Sequence, residues 1–118
     1  MSNYEKLEME VTFIRLDVNG KTGETTFRFE TPELELGNAV KAILFIEGDF
    51  AVGVGYEDDD GVRYQENIGL AEYDRMTVKK DKVTVLTFKS SITKLKLPVD
   101  RIQQLLERNL LLSLLKKV

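Results

Sequence analysis

Three residue types with distinctive chemistry are absent from this chain of 118 residues, which contains no cysteine, no histidine and no tryptophan. Without cysteine there is no disulfide bond, no thiolate nucleophile and no cysteine-ligated zinc or iron–sulfur cluster. Without histidine there is no serine–histidine–aspartate triad and no imidazole general base. We therefore expect a protein that is not an enzyme and that holds neither a metal nor a cofactor.

Long apolar stretches and a basic leader are absent as well. The first ten residues are acidic and polar, unlike a signal peptide. The longest apolar-rich stretch, residues 105–115, is interrupted by Glu107, Arg108 and Asn109, and it falls far short of the ~20 apolar residues that span a bilayer. The length predicts one domain over residues 1–118, and we expect a cytoplasmic protein with no membrane partner.

Alternating apolar and polar residues predict an α+β fold that is mainly an antiparallel β meander, over about residues 7–97. We expect seven or eight strands, and the pattern leaves open whether they close into a barrel. In the first strand the apolar parity switches between Phe13 and Ile14, which indicates a β-bulge or a strand covered on its other face. The predicted segments are 7–18, 25–30, 50–56, 62–73, 76–79, 82–89 and 92–97, with a short edge piece around Leu34 and Leu36.

Residues 38–47 allow two interpretations. Gly48-Asp49 separates two apolar runs, which is a hairpin signal, but the stretch before it is also compatible with a helix. The strand that follows carries only small side chains on one face. Glycine inside a strand often marks a close approach by another group, so we expect a packed helix, a ligand, a partner backbone or local bending there. This small-residue face consists of Ala51, Gly53 and Gly55.

One helix is predicted over about residues 98–116, packed on the small-residue face. Pro98 suits a first helical turn, where its missing N–H is not needed, and Asp100 favours a helix N-terminus through the helix dipole. Apolar residues then recur at helical spacing from Val99 onward. Towards its end this helix is apolar nearly all round, and such a helix is normally buried on every side.

The apolar end of the predicted helix is the strongest functional clue. Burying a leucine side chain stabilises a protein by roughly 1.5–3 kcal/mol, so leucines left in water would form an interaction site. We expect a homodimer or a higher homo-oligomer. The sheet of the same subunit, or a different protein, are the alternatives for covering these leucines. The residues predicted to form the contact are Leu110, Leu111, Leu114 and Leu115.

Charge is unevenly distributed along the chain. Residues 1–75 hold 17 acidic and 7 basic side chains, a balance of −10, whereas residues 76–118 hold 3 and 10, a balance of +7. Either the two parts lie side by side and neutralise each other, or they form faces of opposite sign that meet charged partners. The acidic face would suit a basic protein partner. Within it, the acidic run 57–60 is either a solvated hairpin tip or a weak cation site.

The basic part supports an alternative function, the binding of single-stranded nucleic acid. A lysine-lined surface would follow a phosphate backbone. Residues 76–118 contain only one aromatic residue, Phe88, for base stacking, and the pI of about 5.1 is low for such a protein. We therefore prefer protein interaction as the function. The candidate nucleic-acid contacts are Lys79, Lys80, Lys82, Lys94, Lys96 and Arg101.

Overall fold

The computed structural model describes residues 4–31, 38–81 and 83–117, and this part of the chain forms six antiparallel strands with two short α-helices. The elements are β1 (Tyr4–Val18), β2 (Glu24–Thr31), α1 (Asn38–Leu44), β3 (Asp49–Glu57), β4 (Arg63–Val78), β5 (Thr84–Ser91), a 3-10 turn (Ile92–Lys94), α2 (Val99–Gln103) and β6 (Asn109–Lys117). The predicted β-rich α+β class with antiparallel pairing is confirmed. The predicted strand number of seven or eight is wrong, since there are six in the described ranges. The edge piece expected around Leu34 and Leu36 lies outside the described residues.

The six strands are arranged in the order β1-β2-β5-β4-β3-β6 and form a closed barrel. Closure depends on the last strand, because β6 pairs with β1 on one side and with β3 on the other. Every strand of this ring therefore has two hydrogen-bonded neighbours. The two long strands meet their neighbours along different halves: residues 4–12 of β1 pair with β6 and residues 12–18 with β2, while residues 63–72 of β4 pair with β3 and residues 72–78 with β5.

The first hairpin agrees with the sequence prediction. The register of β1 against β2 shifts between Phe13 and Arg15, which is the bulge expected from the parity switch. In the turn that follows, Asn19 Oδ1 accepts hydrogen bonds from the backbone N–H of Lys21 and of Thr22. The first strand therefore turns its apolar residues inward before the bulge, and beyond it Leu16 packs against the core while β2 pairs with this second half of β1.

The structure differs from the sequence prediction over residues 62–79 and 92–97, and residues 38–44 adopt one of the two predicted alternatives. Residues 38–44 form α1, the helical alternative, because Val40, Ile43 and Leu44 lie at helical spacing and pack against the core. The predicted strands 62–73 and 76–79 are one strand, β4, whose register shifts between Tyr73 and Arg75. The predicted strand 92–97 is instead a 3-10 turn followed by an isolated bridge between Leu95 and Gly69.

The predicted helix over 98–116 is wrong beyond its first turns. The helix ends at Gln103, Glu107 adopts a positive φ of 67°, and the chain then enters β6. Leu112 and its neighbours two positions away point into the barrel, so the burial of β6 follows a period of two. The physical reason is that β1 and β3 would both have unpaired edges if this segment were helical. Pairing with both strands satisfies their backbone groups.

The core fills the inside of the barrel. It is dominated by aromatic rings, with Phe29 stacked on Phe13 at 5.1 Å and edge-on to Phe88 at 5.9 Å. Near the Tyr56 end of β3, Ile102 and Leu105 from the α2 segment are fully buried. The opposite end of β3 is packed by Leu44, Phe50 and the aliphatic part of Lys116. The fully buried phenylalanines are Phe13, Phe27, Phe29, Phe50 and Phe88.

Candidate interaction surface

The outer surface of four adjacent strands presents a face whose charged residues all lie on β1. Strand registers place outward residues of β1, β6, β3 and β4 in three rows across the strands. Inward residues between them, such as Val52 and Leu112, are buried, which fixes the orientation of the face. We call this surface the outer face. Its rows are Lys6–Leu115–Ala51–Leu70, Glu8–Ser113–Gly53–Asn67 and Glu10–Leu111–Gly55–Gln65.

The structure divides the four predicted contact leucines into two pairs. Leu110 and Leu114 are buried inside the barrel and belong to the core. Leu111 and Leu115 project from the outer face, where 42% and 37% of each residue is exposed. Of the four residues predicted to form the contact, only this second pair is accessible to another molecule, and it lies on a strand instead of a helix.

The small-residue face does not contact a helix, contrary to expectation. Ala51, Gly53 and Gly55 point outward and form the floor of a shallow trough beside the β6 leucines. The α2 segment lies elsewhere, with Arg101 at the Tyr56 end of β3. On the far side of the trough Leu70 is 40% exposed, so leucines border it on both sides.

A shallow cavity of about 350 Å³ continues the trough past the end of the outer face. Leu111 and Gly55 form part of its wall, together with the stacked rings of Tyr56 and Tyr64, whose centroids are 5.3 Å apart. The remaining lining residues are Glu10, Glu57, Arg63 and Gln65. Charged groups are thus confined to the border of the apolar surface.

The predicted basic surface is neutralised in part by the acidic part of the chain. Lys79 pairs with Glu30 at 3.3 Å, and Lys94 pairs with Asp49 at 3.1 Å. Lys89 similarly lies 3.7 Å from a carboxylate of β4. These ion pairs support the interpretation that the two parts lie side by side.

The candidate nucleic-acid contacts do not form one surface. Lys79 and Lys80 lie in the β4–β5 turn, whereas Lys94 and Lys96 lie beside Gly69 in the middle of β4. Lys80 and Lys96 are exposed, and Lys82 lies outside the described residues. A single strand of nucleic acid would have to bridge these separate positions.

Arg101, the sixth candidate, is held in a polar cluster at one end of the barrel. Its guanidinium donates to Glu66 Oε1 from Nε at 3.1 Å and from Nη2 at 2.8 Å. It also donates to the Tyr56 hydroxyl and to Gln104 Oε1. The hydrogen bonds to Glu66 raise the pKa of Arg101, and those to Tyr56 act in the same direction. This arginine therefore secures α2 to β3 and β4 and is not free to bind a phosphate.

The acidic run 57–60 forms the tip of the β3–β4 hairpin. Asp58 Oδ1 accepts from the backbone N–H of Asp60 at 3.0 Å and of Val62 at 2.9 Å, and its other oxygen accepts from the Tyr64 hydroxyl. These bonds, the one from Val62 foremost, lower the pKa of Asp58. Among the described residues no group of carboxylates is arranged to hold a metal ion. The carboxylate of Asp58 therefore serves to shape the turn.

A second exposed apolar feature lies at the opposite end of β3. Phe45, just after α1, is 69% exposed, and its ring packs edge-on against Tyr73 at 5.7 Å. A surface cavity of about 570 Å³ adjoins it. Three carboxylates line this cavity and no basic residue does: Glu47, Glu72 and Asp74.

Sequence reasoning missed two exposed apolar residues, Leu70 and Phe45. Leu70 was counted in an ordinary alternating strand, but the register of β3 against β4 shifts between Val52 and Gly53, which turns Leu70 outward. The signal was Gly69, since glycine in a strand interior often marks a bulge. In α1 the apolar face is formed by Val40 and Leu44. Phe45 follows this helix and does not lie on that face.

Searches against protein-family models, characterised proteins and solved structures found no match to this chain. Within the described ranges, no helix is long and apolar enough to cross a membrane. Any function must therefore be inferred from the surfaces described above.

Proposed function

We propose that this chain is a non-enzymatic interaction protein that forms a homodimer through its outer face. The observation that carries the proposal is the position of Leu70, Leu111 and Leu115 around the small-residue face, on the outside of a barrel whose interior is already filled. Exposed leucines grouped on one surface are typical of an interaction site.

Solution mass measured by light scattering or sedimentation tests the proposal directly. The variant Leu111→Ser/Leu115→Ser removes the two β6 leucines from the outer face without touching the core. The matched control is Val78→Ser/Ile92→Ser, which replaces two exposed apolar residues elsewhere on the surface. We expect a dimer for the wild type and the control, and a folded monomer for the leucine variant. A wild type that stays monomeric up to about 1 mM would refute the proposal.

A second contact, with a basic protein segment, is proposed for the surface around Phe45. The support is charge complementarity, since an exposed aromatic ring adjoins a cavity lined by Glu47 and Glu72. The third carboxylate, that of Asp74, is already paired with basic side chains of the chain itself. A lysine or arginine side chain would pair with Glu47 and Glu72 while lying against the Phe45 ring. Titration with an arginine-containing amphipathic peptide, followed by NMR, tests this. Shift changes should concentrate at residues 44–48 and 72–74, and should be lost with Phe45→Ser.

Nucleic-acid binding remains the alternative function, with weaker support. Lys79, Lys94 and Arg101 are already engaged with carboxylates, which reduces the charge available to phosphates. A retardation assay at low salt with single-stranded DNA tests this alternative, because phosphate-driven binding weakens steeply as salt rises. A salt-sensitive complex that Lys80→Glu/Lys96→Glu abolishes would favour the alternative over the protein contact.

A further inference from the structure

The order of large and small residues on the outer face defines how two copies would pack. Within one copy, Leu111 lies beside Gly55 and Leu115 lies beside Ala51, on the neighbouring strands β6 and β3. The large residues of this pair of strands thus all lie on β6 and the small ones on β3. We infer that two copies pair about a two-fold axis parallel to these strands and between them, so that the β6 leucines of each copy fill the β3 trough of the other. This inference rests on the homodimer proposed above and specifies its geometry.

Shape favours this arrangement. A two-fold axis between β6 and β3 exchanges the two strands, so Leu111 of one copy faces Gly55 of the second copy, and the reverse. In the same way Leu115 faces Ala51, and Ser113 faces Gly53. Side chains of two packed sheets interdigitate in such interfaces, and here each leucine meets a position with little or no side chain. The contact is made twice, because the same surface serves both copies.

The polar border is also compatible with this axis. Strand β1, beyond β6, is brought opposite β4, beyond β3. Glu10 then faces Gln65 of the second copy, and Glu8 faces Asn67. Carboxylates accept hydrogen bonds from side-chain amides, so each acidic residue meets a donor. No two like charges of the three rows face each other.

A two-fold axis perpendicular to the strands is less favourable. It would place Leu111 against Leu115 of the second copy and leave the small residues facing one another across a gap. It would also bring Glu8 opposite Glu8. Two bulky side chains at the same position and a void beside them both oppose close packing.

Gln65 must move for the trough to be filled. Its amide nitrogen lies 3.5 Å from the point that a Gly53 Cβ would occupy, and its oxygen lies 3.2 Å from that point at Gly55. Gln65 is exposed, so its side chain is free to swing away from the trough. In the dimer its amide would then donate to Glu10 of the second copy.

The expected dimer is reversible. Three rows across four strands, at about 4.8 Å between strands and about 6.8 Å between same-face residues, give a flat area of roughly 400 Å² per copy. A standard stable interface buries about 800 Å² per partner. The dimer should therefore dissociate on dilution, and its Kd is measurable by sedimentation over about 1 μM to 1 mM.

Exchanging a large and a small residue tests the packing. Leu111→Ala removes a side chain that fills the trough, and Gly55→Leu fills the trough from its own copy; each should raise the dimer Kd by about tenfold or more. The double variant Leu111→Ala/Gly55→Leu places the large residue on the other strand, opposite the vacated position, and should recover most of the lost affinity. Within one copy the nearest atom to an added Gly55 Cβ is the side-chain oxygen of the exposed Gln65, so the fold should tolerate the change.

A second exchange, Ala51→Leu/Leu115→Ala, repeats the test at the other end of the trough. It keeps the inference testable if Gly55→Leu does not fold. Failure of both double variants to recover affinity would refute the packing, provided that Leu111→Ser/Leu115→Ser still abolishes the dimer. A wild type without any dimer would instead refute the proposed function itself, so the two failures are distinguishable.

Discussion

Replacing Gly69 with alanine should destabilise this protein more than any other glycine-to-alanine change on a strand. Gly69 lies in β4 with φ of +135°, and the segment after the 3-10 turn crosses over it. An added Cβ would meet three backbone atoms: the Lys94 carbonyl oxygen, Leu95 Cα at 2.8 Å and Lys96 N at 3.1 Å. Backbone cannot move aside as a flexible side chain does, so the crossing segment would have to lift.

The magnitude follows from two separate contributions. A φ in this region costs a non-glycine residue about 1–3 kcal/mol, and forcing a methyl group into a packed contact costs about 1–3 kcal/mol more. The total, roughly 2–6 kcal/mol, is a large part of the 5–15 kcal/mol by which a native domain is stable. For a domain of this size the melting temperature should fall by about 10 °C or more.

Two other glycines serve as controls in urea and thermal unfolding. Gly61 has φ of +80° but open space around its Cβ, so Gly61→Ala should cost about 1–2 kcal/mol from the backbone alone. Gly20 has neither restriction, and Gly20→Ala should be neutral or stabilise by up to about 1 kcal/mol. Hydrogen exchange at Lys96 N–H, which donates to Ile68 O at 2.8 Å, should accelerate in Gly69→Ala. Equal destabilisation by Gly69→Ala and Gly61→Ala would contradict the close contact between Gly69 and residues 94–96.

Three further changes test the strand, the buried lysine and the hairpin tip. Leu112→Ala should lower the free energy of unfolding by about 2–5 kcal/mol because Leu112 is fully buried. Leu111→Ala on the outer face should lower it far less. Equal losses would argue against β6 as a strand. Lys116→Met keeps the aliphatic stem but removes the ammonium that donates to the backbone carbonyls of Glu47 and Asp49. Urea unfolding should show that the free energy of unfolding falls by about 1–3 kcal/mol. No loss would mean that these hydrogen bonds are dispensable. Because the hydrogen bond from the Val62 N–H lowers the folded-state pKa of Asp58 below the ordinary aspartate value, this carboxylate contributes stability that is fully present above the ordinary value and lost as pH falls through the folded pKa. The stability difference between wild type and Asp58→Asn should therefore shrink on acidification, and a difference that grows would contradict the turn geometry.

Local patterns in the sequence predicted the first hairpin well. The parity switch after Phe13, the Asn19 turn and the alternating Phe27 and Phe29 are all signals that adjacent residues provide. The hairpin tip at Asp58 is of the same kind. These features depend on contacts between residues close in sequence. Local sequence patterns are therefore sufficient to predict them.

The C-terminal strand could not be predicted in the same way. A run in which nearly every residue from Leu110 to Leu115 is apolar satisfies both a period of two and a helical period. Pairing with β1 and β3 decides between the two periods. Both partners are distant from β6 in sequence, since β1 lies at the other end of the chain and β3 near its middle. The candidate surface was therefore predicted at Leu111 and Leu115 but with the wrong secondary structure. Leu70 was missed because a bulge decides which way it faces.

The glycines of this chain separate into those that the fold requires and those that it does not. Gly48 and Gly69 have positive φ and would place a Cβ against Lys116 or against backbone, so the fold itself accounts for them. Gly53 and Gly55 do not have a positive φ, and the Gln65 side chain lies over both, 3.5 Å and 3.2 Å from their added Cβ positions. Glycine in the interior of a strand costs about 0.5–1 kcal/mol relative to alanine. In the proposed dimer, leucines from a second copy enter the trough at these two positions, which gives the two glycines a physical reason beyond the packing of Gln65.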